Sequence, residues 1–290
     1  MKVMKLVGAL VSFALLIGPV RAGDAQEVKL GQIGLSFYAV VGQVLEIALE
    51  RLGHKVEVVQ GPHGEMYPKL GSGEVDLLAA AWLPNAHGPL HKPVADRVVE
   101  VTTLYKNARL YWAVPVYVSE SEVRSIDDLK KPAVAARMDK RIVGIGPDSG
   151  LMRGAAQIVK DYGLEAAGYS IVTGPAADWI ANFRQAVEQK RWVVMPLWQP
   201  QFLNRAYRVR ILDEPKRIYG VDEAVLVANK TAWNRLPERT RNVLSRIEIG
   251  LDGVTEMDYA VNVDKKSPRE AAQAWMARNR SIVDAWFAGI

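Results

Sequence analysis

Two stretches far apart in the chain repeat one design. The first reads Val75-Asp76-Leu77-Leu78-Ala79-Ala80-Ala81-Trp82-Leu83, apolar and uncharged after Asp76, with Pro84 next. The second, Trp192-Val193-Val194-Met195-Pro196-Leu197-Trp198-Gln199, is followed by Pro200. A short apolar run bounded by a turn signal reads as a strand buried on both faces. Proline has no N–H to give to a strand ladder, so each run ends close to its tryptophan. A fold that accommodates both must set an indole at the carboxyl end of each of two buried strands, the edge at which open α/β sheets bind ligands.

The surrounding pattern is of α/β type. Residues 27–33 alternate like a strand, and 38–52 space Val41, Val44, Leu45, Ala48 and Leu52 as on a helix. Gly53 stops that helix and 55–59 alternate again, which makes a strand–helix–strand unit. A short helix is expected around 66–70, irregular chain over 85–100, and a long crossing strand over 101–118. A second set follows, with strand 141–145, turn 146–150, helix 151–162, strand 169–172, helix 176–189 and strand 192–197. Two small parallel sheets are therefore predicted. Strands 210–212 and 224–228, helices 237–247 and 253–263, and one helix over 268–287 complete the chain. The last opens on Ser267-Pro268-Arg269-Glu270, a capping box with proline in the first turn. Its expected packing against the first set makes the chain leave a first lobe (23–112), form a second (113–210) and return (211–290). The crossings near 111–113 and 209–212 would then act as hinges.

Composition narrows the function classes. At 290 residues, 49% hydrophobic and 24% charged, the chain is an ordinary globular one with room for two modest domains. A basic start at Lys2 and Lys5, an apolar segment over 6–20 broken by Gly18-Pro19, and Val20-Arg21-Ala22 read as a secretory signal over 1–22. Export to the periplasm is the expectation. Removing Lys2, Lys5 and Arg21 leaves 34 Lys and Arg against 32 Asp and Glu, which is no footprint for nucleic acid. Without cysteine there is no disulfide, thiolate metal site or lipid-modified cysteine.

Several short motifs occur in a telling order. They are Gly73-Glu74-Val75-Asp76 leading into Ala81-Trp82-Leu83-Pro84, Ala113-Val114-Pro115-Val116-Tyr117-Val118, Ile142-Val143-Gly144-Ile145 with Gly146-Pro147-Asp148-Ser149-Gly150, Tyr162-Gly163-Leu164, and Leu197-Trp198-Gln199-Pro200. In this spacing the chain resembles the periplasmic substrate-binding proteins of ABC importers for glycine betaine, choline and proline betaine. The resemblance implies a two-lobed α/β, type II periplasmic binding protein with a ligand cleft between the lobes. It also implies a monomer that captures a small quaternary amine and hands it to a membrane permease, with no cofactor and no catalysis.

A quaternary ammonium has no N–H to donate, so the attractive way to hold it is a cage of aromatic faces. Trp82 and Trp198 are the first candidates. Relatives often carry an aromatic residue, commonly Trp, just after the first strand, where this chain reads Ser36-Phe37-Tyr38. Tyr38 is preferred to Phe37 as the richer π donor. Tyr111 and Trp112 face opposite ways on one strand, so one of them offers a further wall. Trp179, at a helix start, either overhangs the cleft or packs helix on sheet. Trp192, Trp233, Trp275 and Trp286 are assigned to packing. A betaine carboxylate needs donors, and these are the main-chain N–H groups of Gly34, Leu35 and Ser36 at a helix start, Ser149 in the 146–150 loop, and Gln201. Relatives often place a His where Gln201 stands. Choline would call instead for an acid, Asp148 or Asp178. Donors outnumber acids near the two tryptophan motifs, so a zwitterion is expected.

Rival chemistries fit less well. His63, His87 and His91 make a conceivable metal trio, yet Gly88-Pro89 between the last two spoils helical spacing. The reading is that no metal is bound. A serine hydrolase fails because residues 146–150 are not Gly-x-Ser-x-Gly and all four histidines precede residue 92.

Overall fold

Strands form where the apolar runs predict them, and one long strand joins what the sequence separates. The computed structural model describes residues 26–290, so the expected signal segment 1–22 lies outside the described residues. β1 (Glu27–Ile33), α1 (Ser36–Arg51) and β2 (Lys55–Gly61) form the first strand–helix–strand unit, the two strands parallel with Glu27 beside Lys55. α2 (His63–Ser72) leads into β3 (Leu77–Leu83), all seven of whose residues are buried. α3 (Gly88–His91) and a 3-10 turn over Lys92–Arg97 occupy a stretch expected to be irregular, and β4 (Val98–Pro115) follows.

Next come α4 (Pro132–Ala135), β5 (Arg141–Val143), α5 (Gly150–Asp161), β6 (Ser170–Val172), α6 (Ala176–Glu188) and β7 (Met195–Gln199). The chain continues through α7 (Leu203–Ala206), β8 (Val209–Ile211) and β9 (Val221–Asn229). It closes with α8 (Lys230–Arg235), α9 (Glu238–Leu244), α10 (Leu251–Asn262), α11 (Pro268–Arg278) and α12 (Arg280–Trp286). The single helix predicted over 268–287 is thus two, broken where Asn279 leaves helical geometry at φ −109°, ψ 38°. The break lets Trp275 and Trp286 stack at 6.2 Å.

The sheets differ from the two parallel ones predicted. Seven strands join in the order β2-β1-β3-β9-β4-β7, with β8 beside β4, and only β5 and β6 form a separate parallel pair. β9 runs antiparallel to both of its neighbours, which makes the large sheet mixed. The cause is the length of β4. Its 18 residues extend roughly 60 Å at the usual rise per residue, long enough to pair with β9 as far as Arg109 and then with β7 and β8.

α1 is the helix that the core is built on. Val40, Val41, Val44, Leu45, Ala48 and Leu49 are wholly buried, and the helix packs against α10 and α11. The returning C-terminal helices therefore fix α1, and with it the residues at its first turn.

Candidate functional site

The carboxyl ends of β3 and β7 do converge on one cavity, whose empty space, open solvent included, is about 270 Å³. The start of α1 supplies Leu35, Phe37 and Tyr38, while β3 and the turn after it supply Trp82, Ala86 and His87. Opposite them stand Trp198 of β7, Leu110 of β4, and Ser149, Gly150 and Leu151 at the start of α5; Ile145 and His63 complete the lining. No acidic side chain is among these residues.

Phe37 stands between the two indoles, its ring centre 5.7 Å from that of Trp82 and 5.6 Å from that of Trp198. Tyr38 lies against Phe37 at 4.0 Å, so both aromatic residues of the first turn line the cavity rather than Tyr38 in preference. The indole N–H of Trp82 donates to the Tyr105 hydroxyl at 2.8 Å, which fixes that ring in the core. The indole N–H of Trp198 is buried and has no acceptor among the described residues.

Each tryptophan turn is held by a distant buried carboxylate. Asp222 accepts the main-chain N–H groups of Asn85 (2.6 Å) and Ala86 (3.1 Å), just past Pro84. Asp258 accepts that of Phe202 (2.7 Å), just past Pro200. Burial raises the Asp258 carboxyl to about 6, against the lowering effect of its hydrogen bonds from Ser36, Phe202 and Asn262.

Other expected site residues sit elsewhere. Neither Tyr111 nor Trp112 lines the cavity: Leu110, paired in register with Trp198, takes the place, while Tyr111 donates to Asn204 at 2.6 Å and Trp112 is core. Trp179 does not line it either but stacks behind Trp198 at 4.7 Å and 15°, its N–H on the Pro196 carbonyl. Gln201 is buried away from the cavity, where its side-chain oxygen accepts the Leu203 N–H at 2.6 Å. The Ser36 hydroxyl accepts from Asn262, and Ser36 is absent from the lining. Ser149 does line the cavity, yet its hydroxyl donates to the Gly146 carbonyl and caps α5 by accepting the Met152 N–H. The N–H groups of Gly34 and Leu35 are also spent, on the carbonyls of Gly61 and Ile33. Asp148 accepts the Gly64 N–H at 2.6 Å and neither it nor Asp178 lines the cavity.

Sequence reasoning weighs His63 and His87 only as metal ligands, and here it misses two lining residues. Their rings meet edge to face at 5.1 Å. Among the described residues no group of three or more His, Cys, Asp or Glu side chains is placed to hold a metal ion. His87 Nδ1 accepts the Trp82 main-chain N–H at 3.0 Å and lies 2.8 Å from the Tyr67 hydroxyl; its Nε2 is 3.3 Å from the Tyr38 hydroxyl. The available signal is position: His87 closes the turn that begins at Trp82, with its N–H on the Trp82 carbonyl at 2.8 Å.

The chain belongs to the family described as the substrate binding domain of the ABC-type glycine betaine transport system (OpuAC), which matches residues 26–278. It is similar to the glycine betaine/carnitine transport binding protein GbuC of Listeria monocytogenes, 26% identical over 163 residues, which are 56% of this chain and 54% of that protein. The chain thus spans about half the length of that curated relative. Its fold matches lactococcal OpuAC in its closed, liganded form complexed with glycine betaine, with TM-score 0.81 and 23% identity over 90% of this chain and 99% of that one. It also matches an ABC-transporter choline binding protein in complex with choline, with TM-score 0.81 and 18% identity over 91% and 92% of the two chains. The architecture is accordingly the two-lobed α/β fold of these binding proteins. No helix among the described residues is long and apolar enough to cross a membrane.

The buried imidazoles imply a pH dependence of folding. Burial lowers His63 to about 4 and His87 well below its ordinary 6.5, so both are neutral in the folded chain at neutral pH. Unfolded histidine takes up its proton near 6.5, so this stabilisation is full above that pH and is lost as pH falls toward 4. Asp258 acts the other way, since its raised carboxyl favours the fold below about 6. A His63→Gln variant should therefore show a shallower loss of stability between pH 6.5 and 4, by up to about 1.4 kcal/mol per pH unit. Denaturant melts at stepped pH measure it, and an unchanged slope would contradict the assignment.

Proposed function

We propose that this chain is the periplasmic, ligand-capturing component of an ABC importer for a small quaternary amine, glycine betaine before choline. Phe37, Trp82 and Trp198 form the cage, with Tyr38 at its edge and Trp179 backing Trp198. The observation that carries the reading is three aromatic rings around one cavity that has no acidic lining residue. Aromatic faces attract a quaternary ammonium, and the lack of a counter-ion favours a ligand that brings its own carboxylate. The Phe37 amide, in the first turn of α1, has no intrahelical acceptor and offers that carboxylate a helix start. Family membership and the glycine betaine and choline named for the matched structures support the same ligand class.

In this reading a signal over 1–22 is cleaved and the monomer passes its ligand to a membrane permease. Lobes over 23–112 with 211–290 and over 113–210 close on the amine by hinging near 111–113 and 209–212. Small-angle scattering should then show a smaller radius of gyration with glycine betaine bound, and an identical radius would contradict the closure.

Replacing Trp198 by Leu keeps an apolar side chain, removes the π face and breaks no side-chain hydrogen bond among the described residues. Trp198→Leu should weaken glycine betaine binding by about 0.5–2 kcal/mol in a calorimetric titration, with the melting temperature followed in parallel. Unchanged affinity would remove Trp198 from the cage.

A further inference from the structure

The donors that would be assigned first to a ligand carboxylate are spent within the protein. The Gly34 and Leu35 amides, the Ser149 hydroxyl and the Gln201 side chain all have partners or lie off the cavity. Besides the first-turn amide of α1, a side-chain donor follows from proton counting around His87. A main-chain N–H can only donate, so the Trp82 N–H at 3.0 Å requires His87 Nδ1 to be an unprotonated acceptor. Tyr67, at 2.8 Å from the same nitrogen, then also points its O–H at this one lone pair, which the two donors share. The neutral ring must carry its hydrogen on Nε2, which points that N–H at the Tyr38 oxygen, 3.3 Å away.

Tyr38 is therefore an acceptor toward His87, and its own O–H has no acceptor among the described residues. The phenol is 1% exposed and lines the cavity beside Phe37. We infer that the Tyr38 hydroxyl donates to the carboxylate of the bound ligand, and that His87, locked as the Nε2–H tautomer by the Trp82 amide, is the positioning residue that turns this donor toward it. This inference rests on the proposed quaternary-amine site and says which side chain reads the ligand's other end. Burial, which keeps His87 neutral and the Tyr38 phenol protonated, favours the same arrangement.

His63 supports the polarity of this end. It lines the cavity next to His87, stays neutral with its pKa near 4, and makes no hydrogen bond to the described residues. The polar end is thus built from neutral groups, which suits a carboxylate already paired with its own ammonium.

Tetramethylammonium separates the two readings, because it has the cation of glycine betaine and no oxygen. In Tyr38→Phe the ratio of glycine betaine to tetramethylammonium affinity should fall about tenfold, the size of one hydrogen bond to a charged acceptor. A ratio unchanged from the unmodified protein, with both ions bound, overturns the role of Tyr38 while leaving the cage standing. Failure of the unmodified protein to bind either ion overturns the inference and the proposed function together. Nitrogen-15 NMR of the unmodified protein gives an answer that does not depend on the variant folding. His87 should show a protonated Nε2 and an unprotonated Nδ1 with and without glycine betaine, and a protonated Nδ1 overturns the inference.

Discussion

The two tryptophan turns depend on carboxylates that reach them from the returning part of the chain. Asp222 and Asp258 are almost wholly buried, and each accepts the amide N–H groups that a proline-terminated strand leaves without a ladder partner. An ionised carboxylate bound to main-chain N–H is among the stronger hydrogen-bonded arrangements, and an amide buried without a partner is costly. The positions of Trp82 and Trp198 are therefore coupled to β9 and α10 rather than to the strands that carry them alone. Ser36 and Asn262 join the Asp258 group, so the first turn of α1 is tied into the same support.

The charge inventory of the cavity follows from this arrangement. Three acids beside these turns are consumed in holding backbone: Asp222 and Asp258 at the turns, Asp148 on the Gly64 amide. The histidines are neutral through burial. What faces the space is aromatic surface and a few neutral polar groups, a setting in which an unaccompanied cation would find π faces but no counter-ion, while a zwitterion is neutral overall.

Much of the frame was legible in the chain because strands and helices announce themselves locally. Apolar runs closed by Pro84 and Pro200 located both indoles, and the apolar spacing from Val41 to Ala48 located α1. Alternation along β4 told which residues share a face, but not which face meets the cavity; Leu110, not Tyr111 or Trp112, lies opposite Trp198 by register. Donors near the motifs were overcounted, since the partners that occupy Gly34, Leu35, Ser149 and Gln201 form only when turns and caps do. The holding carboxylates had no local signal, because Asp222 lies 136 residues beyond Ala86. Likewise nothing in the residues of β4 says that it pairs with β9 on one stretch and β7 on the next.

The measurement that bears most directly on the proposed site is a crystal structure of the protein with glycine betaine bound. The trimethylammonium group should lie against the rings of Phe37, Trp82 and Trp198, with its carboxylate within hydrogen-bonding distance of the Tyr38 hydroxyl. Density for the ligand outside this cavity, or an ammonium group seated on a carboxylate side chain instead of the aromatic faces, would contradict the account.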